Sequence, residues 1–282
     1  MTAMAGQSAV VVGGSRGLGL GVARAVRDAG ARVTVVARDL FPITDSPLTD
    51  SRINDSPATG DQMADAPSTG ASLADAPSIN ALLAGAAGLD GEAGDATDEA
   101  FADKVLAAIR PGLLVVTAGT APPMRPLTEQ TWESFSANWH ADVRIAFVWL
   151  RAALRLPLSP GSRVVVFGSA AELRGSPLSG GYAGAKATVR LITGYAAAPA
   201  RDLGIAMTTV LPGITPGTGV GETAIRSYAQ AAGITEDEFR ARVSAAPDPA
   251  TVGAHIVVLA ATPGTALAES YLLDRDGLHE RT

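Results

Sequence analysis

A tyrosine and a lysine lie four residues apart in Tyr182-Ala183-Gly184-Ala185-Lys186, and Ser169 lies thirteen residues before the tyrosine. Residues i and i+4 share one face of a helix, so the lysine ammonium would lie close to the phenol. A free tyrosine has a pKa of about 10, and a nearby cation lowers that pKa toward the neutral range, where acid–base catalysis works. Ser169 follows a predicted strand, Arg163–Phe167, and its hydroxyl could hydrogen-bond a substrate oxygen. The three side chains predict an acid–base centre.

A glycine-rich turn lies about 150 residues upstream of that serine, directly after the apolar run Val10–Val12. Gly13 would allow a tight turn, Gly17 would let the backbone approach a pyrophosphate, and Gly19 would let the next helix pack on the sheet. The helix predicted from Leu18 to Ala29 would offer phosphates its free N–H groups and the positive end of its dipole. The turn therefore indicates a dinucleotide site.

Together and in this order, the glycine turn and the Ser169, Tyr182 and Lys186 set resemble the short-chain dehydrogenase/reductase family. The resemblance covers essentially the whole chain apart from an internal repeat. It implies a single α/β domain of the Rossmann type over residues 1–282. This domain would hold a doubly wound, mainly parallel sheet of about seven strands with helices on both faces. It also implies hydride transfer between a nicotinamide dinucleotide and a small carbonyl or alcohol substrate, at the carboxyl ends of the strands.

The resemblance gives each residue of the acid–base centre a role. Tyr182 would donate or accept the proton, Lys186 would modify the pKa of the phenol and bind the ribose, and Ser169 would polarise the substrate. The implied cofactor-binding residues are Gly13, Ser15, Arg16, Gly17, Leu18, Gly19, Arg38, Asp95, Ala96, Ala118, Gly119, Tyr182, Lys186, Pro212, Gly213 and Thr215.

Some of these positions carry a finer implication. The family places Asp95 and Ala96 at the adenine and the segment from Pro212 at the nicotinamide, where Thr215 and Thr218 are candidate carboxamide and phosphate ligands. Two residues depart from the family pattern: Val12 replaces a threonine and Thr117 replaces an asparagine. Thr97 or Asp98 is expected to cap the helix that runs through Ile109.

Two arginines favour NADP(H) over NAD(H). Arg38 follows the predicted strand Val33–Ala37, about 20 residues past the glycine turn, where an arginine would bind the NADP phosphate and an acidic residue the NAD ribose. Arg16 lies inside the turn and could reach the same phosphate. Asp39 is the alternative, as an acidic ribose ligand, if the strand ends one residue later.

A helix predicted from Leu127 to Leu156 carries an open question. The family places a catalytic asparagine there, which holds a helix irregularity and a water in the proton relay. That position falls on Asp142 in this sequence, and Asn138 lies one turn earlier on the same face. We assign Asp142 to the catalytic set, with Asn138 as the alternative. An aspartate near Lys186 would compete with the phenolate for the ammonium.

Two segments lie outside this core pattern. Residues 44–83 hold a ten-residue repeat, beginning with Asp45-Ser46-Pro47, whose polar and proline-rich composition cannot bury a core. We interpret it as an expanded, exposed loop; the alternative is a partner-binding arm. Residues 217–247 are expected to form a lobe over the substrate. Specificity would lie in this lobe and in the segments Pro122–Leu127 and Ala170–Ser179, none of which identifies the substrate.

Composition excludes several classes of protein. The net charge of −6 and the pI of about 5.1 argue against nucleic-acid binding. The chain has no cysteine, and its three histidines are scattered, so no metal site is expected. The absence of a continuous apolar run of about 18 residues argues against a membrane span and favours a cytoplasmic protein.

A homodimer or homotetramer is expected, formed through the two long helices that contain Trp149 and Tyr195. Their outer faces would carry Ala146, Ala153, Ala187 and Ala197, unless those residues face the core. The main functional alternative to an enzyme is a cofactor-binding sensor or scaffold with little turnover. Epimerase or dehydratase chemistry is disfavoured by the glycine spacing.

Overall fold

The structure is a computed structural model that describes residues 3–40, 88–243 and 247–281. Its strands are β1 (Ser8–Val12), β2 (Arg32–Ala37), β3 (Leu89–Ala93), β4 (Leu113–Val116), β5 (Arg163–Phe167), β6 (Ala206–Pro212), β7 (Ser270–Asp274) and β8 (Gly277–Arg281). Its helices are α1 (Gly17–Asp28), α2 (Glu99–Ile109), α3 (Trp132–Asn138), α4 (Arg144–Arg155), α5 (Ala171–Arg174), α6 (Tyr182–Asp202), α7 (Gly219–Ala232), α8 (Glu236–Val243) and α9 (Pro249–Ala261).

In the described residues the strands form one eight-stranded sheet in the order β3-β2-β1-β4-β5-β6-β7-β8. Every neighbouring pair is parallel except β7 and β8. The predicted doubly wound, mainly parallel sheet is therefore confirmed. The expected number of about seven strands was one too low, because the chain turns back after Asp274 and adds Gly277–Arg281 as an antiparallel strand.

The central strands are buried on both faces, which explains their continuous apolar sequences. Val11 and Val115 pack with α1 and α9, while Val10 and Val116 face the other side of the sheet and pack with α2, α4 and α6. Alternate residues of each strand thus supply two separate cores. All the parallel strands end at one edge of the sheet, so the segments after β1, β2, β4, β5 and β6 meet there.

The local predictions for the first half of the chain are confirmed to within one residue. The helix predicted from Leu18 to Ala29 is α1, and the strand predicted from Val33 to Ala37 is β2. The helix through Ile109 is α2. Asp98, rather than Thr97, caps it: its carboxylate accepts hydrogen bonds from Ala100 N and Phe101 N at 2.8 and 3.2 Å.

The single helix predicted from Leu127 to Leu156 is wrong. The segment instead consists of a short 3₁₀ turn, α3, a π-helical turn over residues 139–143, and α4. Thr131 starts α3 through a capping box with Ser134. The π turn inserts one extra residue into the helical path, and it includes the buried Asp142.

The structure describes only one of the two segments outside the core pattern. The repeat at 44–83 lies outside the described residues. The described part of the 217–247 region forms α7 and α8. Among the described helices, none combines the length and the apolar character that a membrane span requires. Across all the residues that the structure describes, no group of His, Asp or Glu side chains is arranged to hold a metal ion.

Candidate active site

The glycine turn forms a close-packed cradle at the start of α1. Gly13 has φ +86, and a Cβ there would lie only 2.6 Å from Ala118 N. Gly19 packs directly on the Gly13 carbonyl. Helix α1 begins at Gly17; its first turn contains no acidic side chain, and Arg16 makes no side-chain cap. The positive end of the helix is therefore open to an anion, as a pyrophosphate requires.

The two arginines lie on the surface near this cradle. Arg16, Arg38 and Asp39 are all exposed, and β2 ends at Ala37, one residue before Arg38. Asp95 accepts hydrogen bonds from Thr97 N and Oγ1, both at 2.9 Å. These bonds hold the pKa of Asp95 below its usual value, and the charge of Arg38 contributes in the same direction. Arg38 and Asp95 therefore belong to the same surface region.

The proposed adenine segment is fixed from below by a tryptophan. Trp149 on α4 is fully buried, and its indole N–H donates a hydrogen bond to the carbonyl of Ala96 at 3.0 Å. A buried tryptophan N–H needs such a partner. Trp149 therefore ties the segment after β3 to the helix layer beneath it.

Ser169 lies just past the end of β5. Its Oγ accepts a hydrogen bond from Ala171 N at 3.2 Å. The next residue, Ala170, donates its N–H to the carbonyl of Pro212 at 2.9 Å. The serine turn is thus joined to the segment at the end of β6, which the family resemblance places at the nicotinamide.

Tyr182 and Lys186 occupy the first two turns of α6, as their spacing predicts. The Lys186 Nζ lies 5.8 Å from the centroid of the Tyr182 ring and donates to the carbonyl of Phe167 at 3.3 Å. The same Nζ lies 3.0 Å from Oδ2 of Asp142, and the two side chains are only 7% and 1% exposed. Burial opposes the charge on Lys186, but the neighbouring charges of Asp142 and Tyr182 outweigh it and raise the pKa of Lys186.

Asp142 and Asn138 both face this centre, but only Asp142 contacts the lysine. Oδ1 of Asp142 accepts a hydrogen bond from Thr120 N at 2.9 Å. Asn138 Nδ2 donates to Thr120 O at 2.8 Å and lies 3.5 Å from the same Oδ1. Gly119 makes room for the carboxylate, since a Cβ there would lie 2.8 Å from Oδ2. The aspartate therefore joins the lysine to the segment after β4.

The segment after β6 is held by its own threonines. Thr215 is buried and donates to Gly213 O at 3.2 Å. Thr218 donates to Thr215 O at 2.8 Å and accepts from Gly221 N at 3.1 Å, so it caps α7. Both hydroxyls already have partners within the segment.

The three segments expected to set specificity lie against one another. Arg125 N donates to Leu178 O at 2.8 Å, which joins the loop after β4 to the loop before α6. Ser176 Oγ lies 2.6 Å from the hydroxyl of Tyr228 on α7. Tyr228 stacks on Phe239 of α8, with ring centroids 6.1 Å apart. The lobe thus contacts the loop that leads directly to Tyr182.

The prediction about the outer faces of the long helices needs correction. Ala146 and Ala153 are buried in the core, Ala197 is partly buried against it, and Ala187 is half-buried. The exposed apolar residues are instead Phe147 on α4 and Leu191 and Tyr195 on α6. Helix α4 carries large apolar residues at both buried and exposed positions, so its sequence leaves the choice of face open, and packing on the sheet decides it.

The sequence interpretation missed one charged pair beside the centre. Arg190 Nε donates to Oε1 of Glu172, whose side chain is only 1% exposed. Arg190 lies four residues after Lys186, and Glu172 lies three residues after Ser169. The helical spacing of Arg190 from Lys186 was the available signal, but nothing local indicated that Glu172 would be buried.

Comparison with known proteins gives two findings. A family model described as "Enoyl-(Acyl carrier protein) reductase" matches residues 74–267, more than half of the chain. Among solved structures 1872 chains match. One is a dehydrogenase/reductase from Sinorhizobium meliloti 1021, with a TM-score of 0.68 and 22% identity over 96% of each chain, which shows a shared fold. No curated protein matches the sequence significantly. The family match includes Ser169, Tyr182 and Lys186 and begins after the glycine turn.

Proposed function

Because the chain belongs to the short-chain dehydrogenase/reductase family, whose members are oxidoreductases that use a nicotinamide cofactor, we propose that it interconverts a carbonyl and an alcohol with NADP(H). The observation that carries the proposal is the position of Lys186. Its buried ammonium lies 5.8 Å from the Tyr182 ring, at the end of β5 that also leads to Ser169. A phenol, a cation and a second hydroxyl at one strand edge suit proton transfer to a carbonyl oxygen.

Each residue of the centre has a distinct task. The Tyr182 hydroxyl gives or takes the proton at the substrate oxygen. Ser169 accepts from Ala171 N at 3.2 Å, which leaves its own proton free to donate to that oxygen. Lys186 places a positive charge beside the phenol. A bound nicotinamide ring supplies or accepts the hydride.

Asp142 and the carbonyl of Phe167 hold the Lys186 ammonium in position. With contacts at 3.0 and 3.3 Å, they fix the ammonium on the side of the helix that faces the strand ends. Asp142 is thereby a positioning residue for Lys186. Through its other oxygen it also connects the lysine to Thr120 and Asn138, and so to the segment after β4.

The residues around α1 fit a dinucleotide. The Gly13 and Gly19 cradle excludes side chains, and the uncapped start of α1 suits a pyrophosphate. Arg16 and Arg38 favour a cofactor with an additional phosphate, because two guanidinium groups bind a dianion strongly. Asp39 is the acidic alternative for a ribose without that phosphate, but it stands one residue farther from the end of β2.

The experiment that tests the proposal is a panel of ketones, aldehydes and enoyl thioesters, followed by NADPH absorbance. The thioesters are included because the matching family model carries that description. Tyr182→Phe should lower turnover by about 10²–10⁴-fold, the usual contribution of a general acid, and should leave NADPH binding nearly unchanged. Tyr195→Phe is the control, since Tyr195 is 69% exposed. Retention of most activity by Tyr182→Phe would exclude its acid–base role.

A second candidate function is a cofactor-binding sensor with little turnover. The observation that favours it is the ion pair between Asp142 and Lys186, because Asp142 partly neutralises the ammonium whose charge Tyr182 would need. This candidate predicts that Asp142→Asn raises turnover from a very low level. The enzyme proposal predicts that the same change lowers turnover, since Lys186 loses a partner that holds it in place.

The proposal extends to assembly as a homodimer or homotetramer. Phe147, Leu191 and Tyr195 are 49%, 45% and 69% exposed on the neighbouring helices α4 and α6. An exposed apolar patch of this kind is typical of an interaction surface. Two copies of such a surface would bury each other around a two-fold axis.

A further inference from the structure

Glu172 is a buried carboxylate that none of the proposed steps uses. It lies on the short helix α5, and its side chain is only 1% exposed. Arg190 Nε donates to Oε1, whereas Oε2 has no hydrogen-bond partner among the described residues. A Cβ at Gly168 would lie 2.5 Å from Leu211 Cδ2 and 3.2 Å from Oε2, so a side chain there would clash with Leu211 and crowd this carboxylate.

The burial of Glu172 is unfavourable for the folded protein. Burial raises the pKa of Glu172. The hydrogen bond and the charge of Arg190 lower that pKa only in part, and the charges of Arg281 and Lys186 act more weakly in the same direction. A carboxyl group whose pKa is raised by folding stabilises the fold when protonated and loses that contribution as the pH rises through the raised pKa. The ionised form of Glu172 is therefore less favourable to the fold than the protonated form. Buried charges with such a cost are frequent at functional sites.

Glu172 lies next to the candidate active site. Its N–H donates to the carbonyl of Ser169 at 3.1 Å, so Glu172 belongs to the same turn as the serine. Its partner Arg190 lies on α6, one helical turn beyond Lys186. The pair therefore links the turn that carries Ser169 to the helix that carries Tyr182 and Lys186.

We propose that Glu172 is a positioning residue that, through Arg190, holds the Ser169 turn against α6 and so sets the separation of the Ser169 and Tyr182 hydroxyls. This inference rests on the proposed function, because the separation matters only if both hydroxyls act on one substrate oxygen. Asp142 holds Lys186 from the β4 side of the site, and Glu172 holds the serine turn from the β6 side. Asp142 thus acts on Lys186 directly, and Glu172 acts on the backbone turn that carries Ser169.

A purely structural role makes the opposite prediction for stability. If the Glu172–Arg190 pair served only to hold the fold together, its removal would lower the melting temperature and affect turnover in proportion. If Glu172 is a positioning residue, Glu172→Gln should melt at the same temperature or higher, because glutamine carries no buried charge. The amide oxygen can still accept from Arg190, so Glu172→Gln should retain more turnover than Glu172→Ala.

The test uses the full chain with Glu172→Ala, Glu172→Gln, Arg190→Ala and the double variant Glu172→Ala/Arg190→Ala. We expect each alanine variant to lower kcat about tenfold or more, with the NADPH Kd nearly unchanged. The double variant should be no worse than the singles, since both remove one link. Additive losses, or an unchanged kcat in either single variant, would overturn the proposal. Glu99→Ala, which breaks the exposed Arg151 pair, is the matched control.

Amide hydrogen exchange gives a readout that does not depend on turnover. Glu172→Ala and Arg190→Ala should speed exchange in residues 168–174, and Glu99→Ala should not. Unchanged exchange in both variants would overturn the positioning role even if the enzyme is active. Faster exchange with no wild-type turnover on any carbonyl would show that the pair holds the Ser169 turn, but it would reject the proposed reaction and with it the catalytic consequence of that contact. If Glu172→Ala fails to fold, Glu172→Gln and Arg190→Ala carry the same comparison.

Discussion

Asp142→Asn is expected to destabilise the protein, although it changes a single atom. The Asp142 carboxylate faces three donors: Thr120 N, Asn138 Nδ2 and Lys186 Nζ. A carboxylate accepts on both oxygens, whereas an asparagine accepts on one and donates from the other side. Whichever way the amide turns, it therefore presents N–H groups to either Thr120 or Lys186. One buried donor loses its partner.

The size of the effect follows from the geometry. At 3.0 Å and an effective dielectric constant of about 20, the attraction between Asp142 and Lys186 is about 5.5 kcal/mol, much of it offset by desolvation. Removing one partner of a buried pair costs about 3–5 kcal/mol, and the hydrogen bond that asparagine keeps returns about 1 kcal/mol. We expect a loss of about 2–4 kcal/mol for Asp142→Asn and about 3–5 kcal/mol for Asp142→Ala.

Urea denaturation and thermal melting at neutral pH measure these losses. A protein of this size loses roughly 2–4 °C per kcal/mol, so Asp142→Asn should melt roughly 10 °C below the wild type. Glu99→Gln, which affects an exposed pair with Arg151, is the control and should cost less than about 1 kcal/mol. A wild-type melting temperature for Asp142→Asn would refute the reasoning, since it would mean that the carboxylate contributes nothing to the fold.

The pH dependence offers an independent check on the same pair. The pKa of Lys186 is raised by folding, so the contribution of its charge is fully present below the unfolded value of 10.5 and is lost only as the pH rises through the higher folded value. The stability difference between the wild type and Lys186→Met should therefore persist throughout the neutral range. A difference that disappears between about pH 7 and 9 would contradict this assignment.

Three further changes test separate parts of the structure. Arg38→Asp should weaken NADPH binding by about 1.5–3 kcal/mol and shift preference toward NADH. Arg32→Asp, at the opposite end of β2, is the control and should do neither. Tighter binding of NADH than of NADPH by the wild type would contradict the assignment. Asp98→Ala should lower the urea stability by about 1 kcal/mol through loss of the α2 cap, without a change in NADPH affinity. Tyr195→Glu should lower the mass measured by light scattering and Val258→Glu on α9 should not; a monomeric wild type would exclude the proposed interface.

The parts of the site that were predictable from the sequence depend on short-range geometry. The i, i+4 spacing of Tyr182 and Lys186 fixes one helix face, and the apolar run before Ser169 fixes a strand end. The glycine spacing around Gly13 likewise requires a tight turn, wherever the rest of the chain goes. The sheet topology followed from the family resemblance and is confirmed by the strand order.

The parts that were not predictable depend on contacts between distant segments. The family resemblance placed Asp142 at a helix irregularity near Lys186, but the sequence did not show where the π turn lies, because a single inserted residue hardly changes the apolar pattern of a helix. The burial of Glu172 depends on α6 lying above β5 and β6, about which the neighbours of Glu172 in sequence carry no information. Strand β8 was missed because its residues 279–281 are polar and exposed, so it lacks the apolar signature of the central strands.

The antiparallel strand β8 affects whether an extended chain can pair with this edge of the sheet. A bare outer edge on β7 would offer unpaired peptide groups to any extended chain, which is a common start of aggregation. β8 covers that edge and presents polar side chains in its place, among them Glu280 and His279, whose imidazole lies 2.9 Å from Asp274. Charged, short edge strands discourage further strand addition. β8 therefore leaves a short, polar outer edge on this side of the sheet.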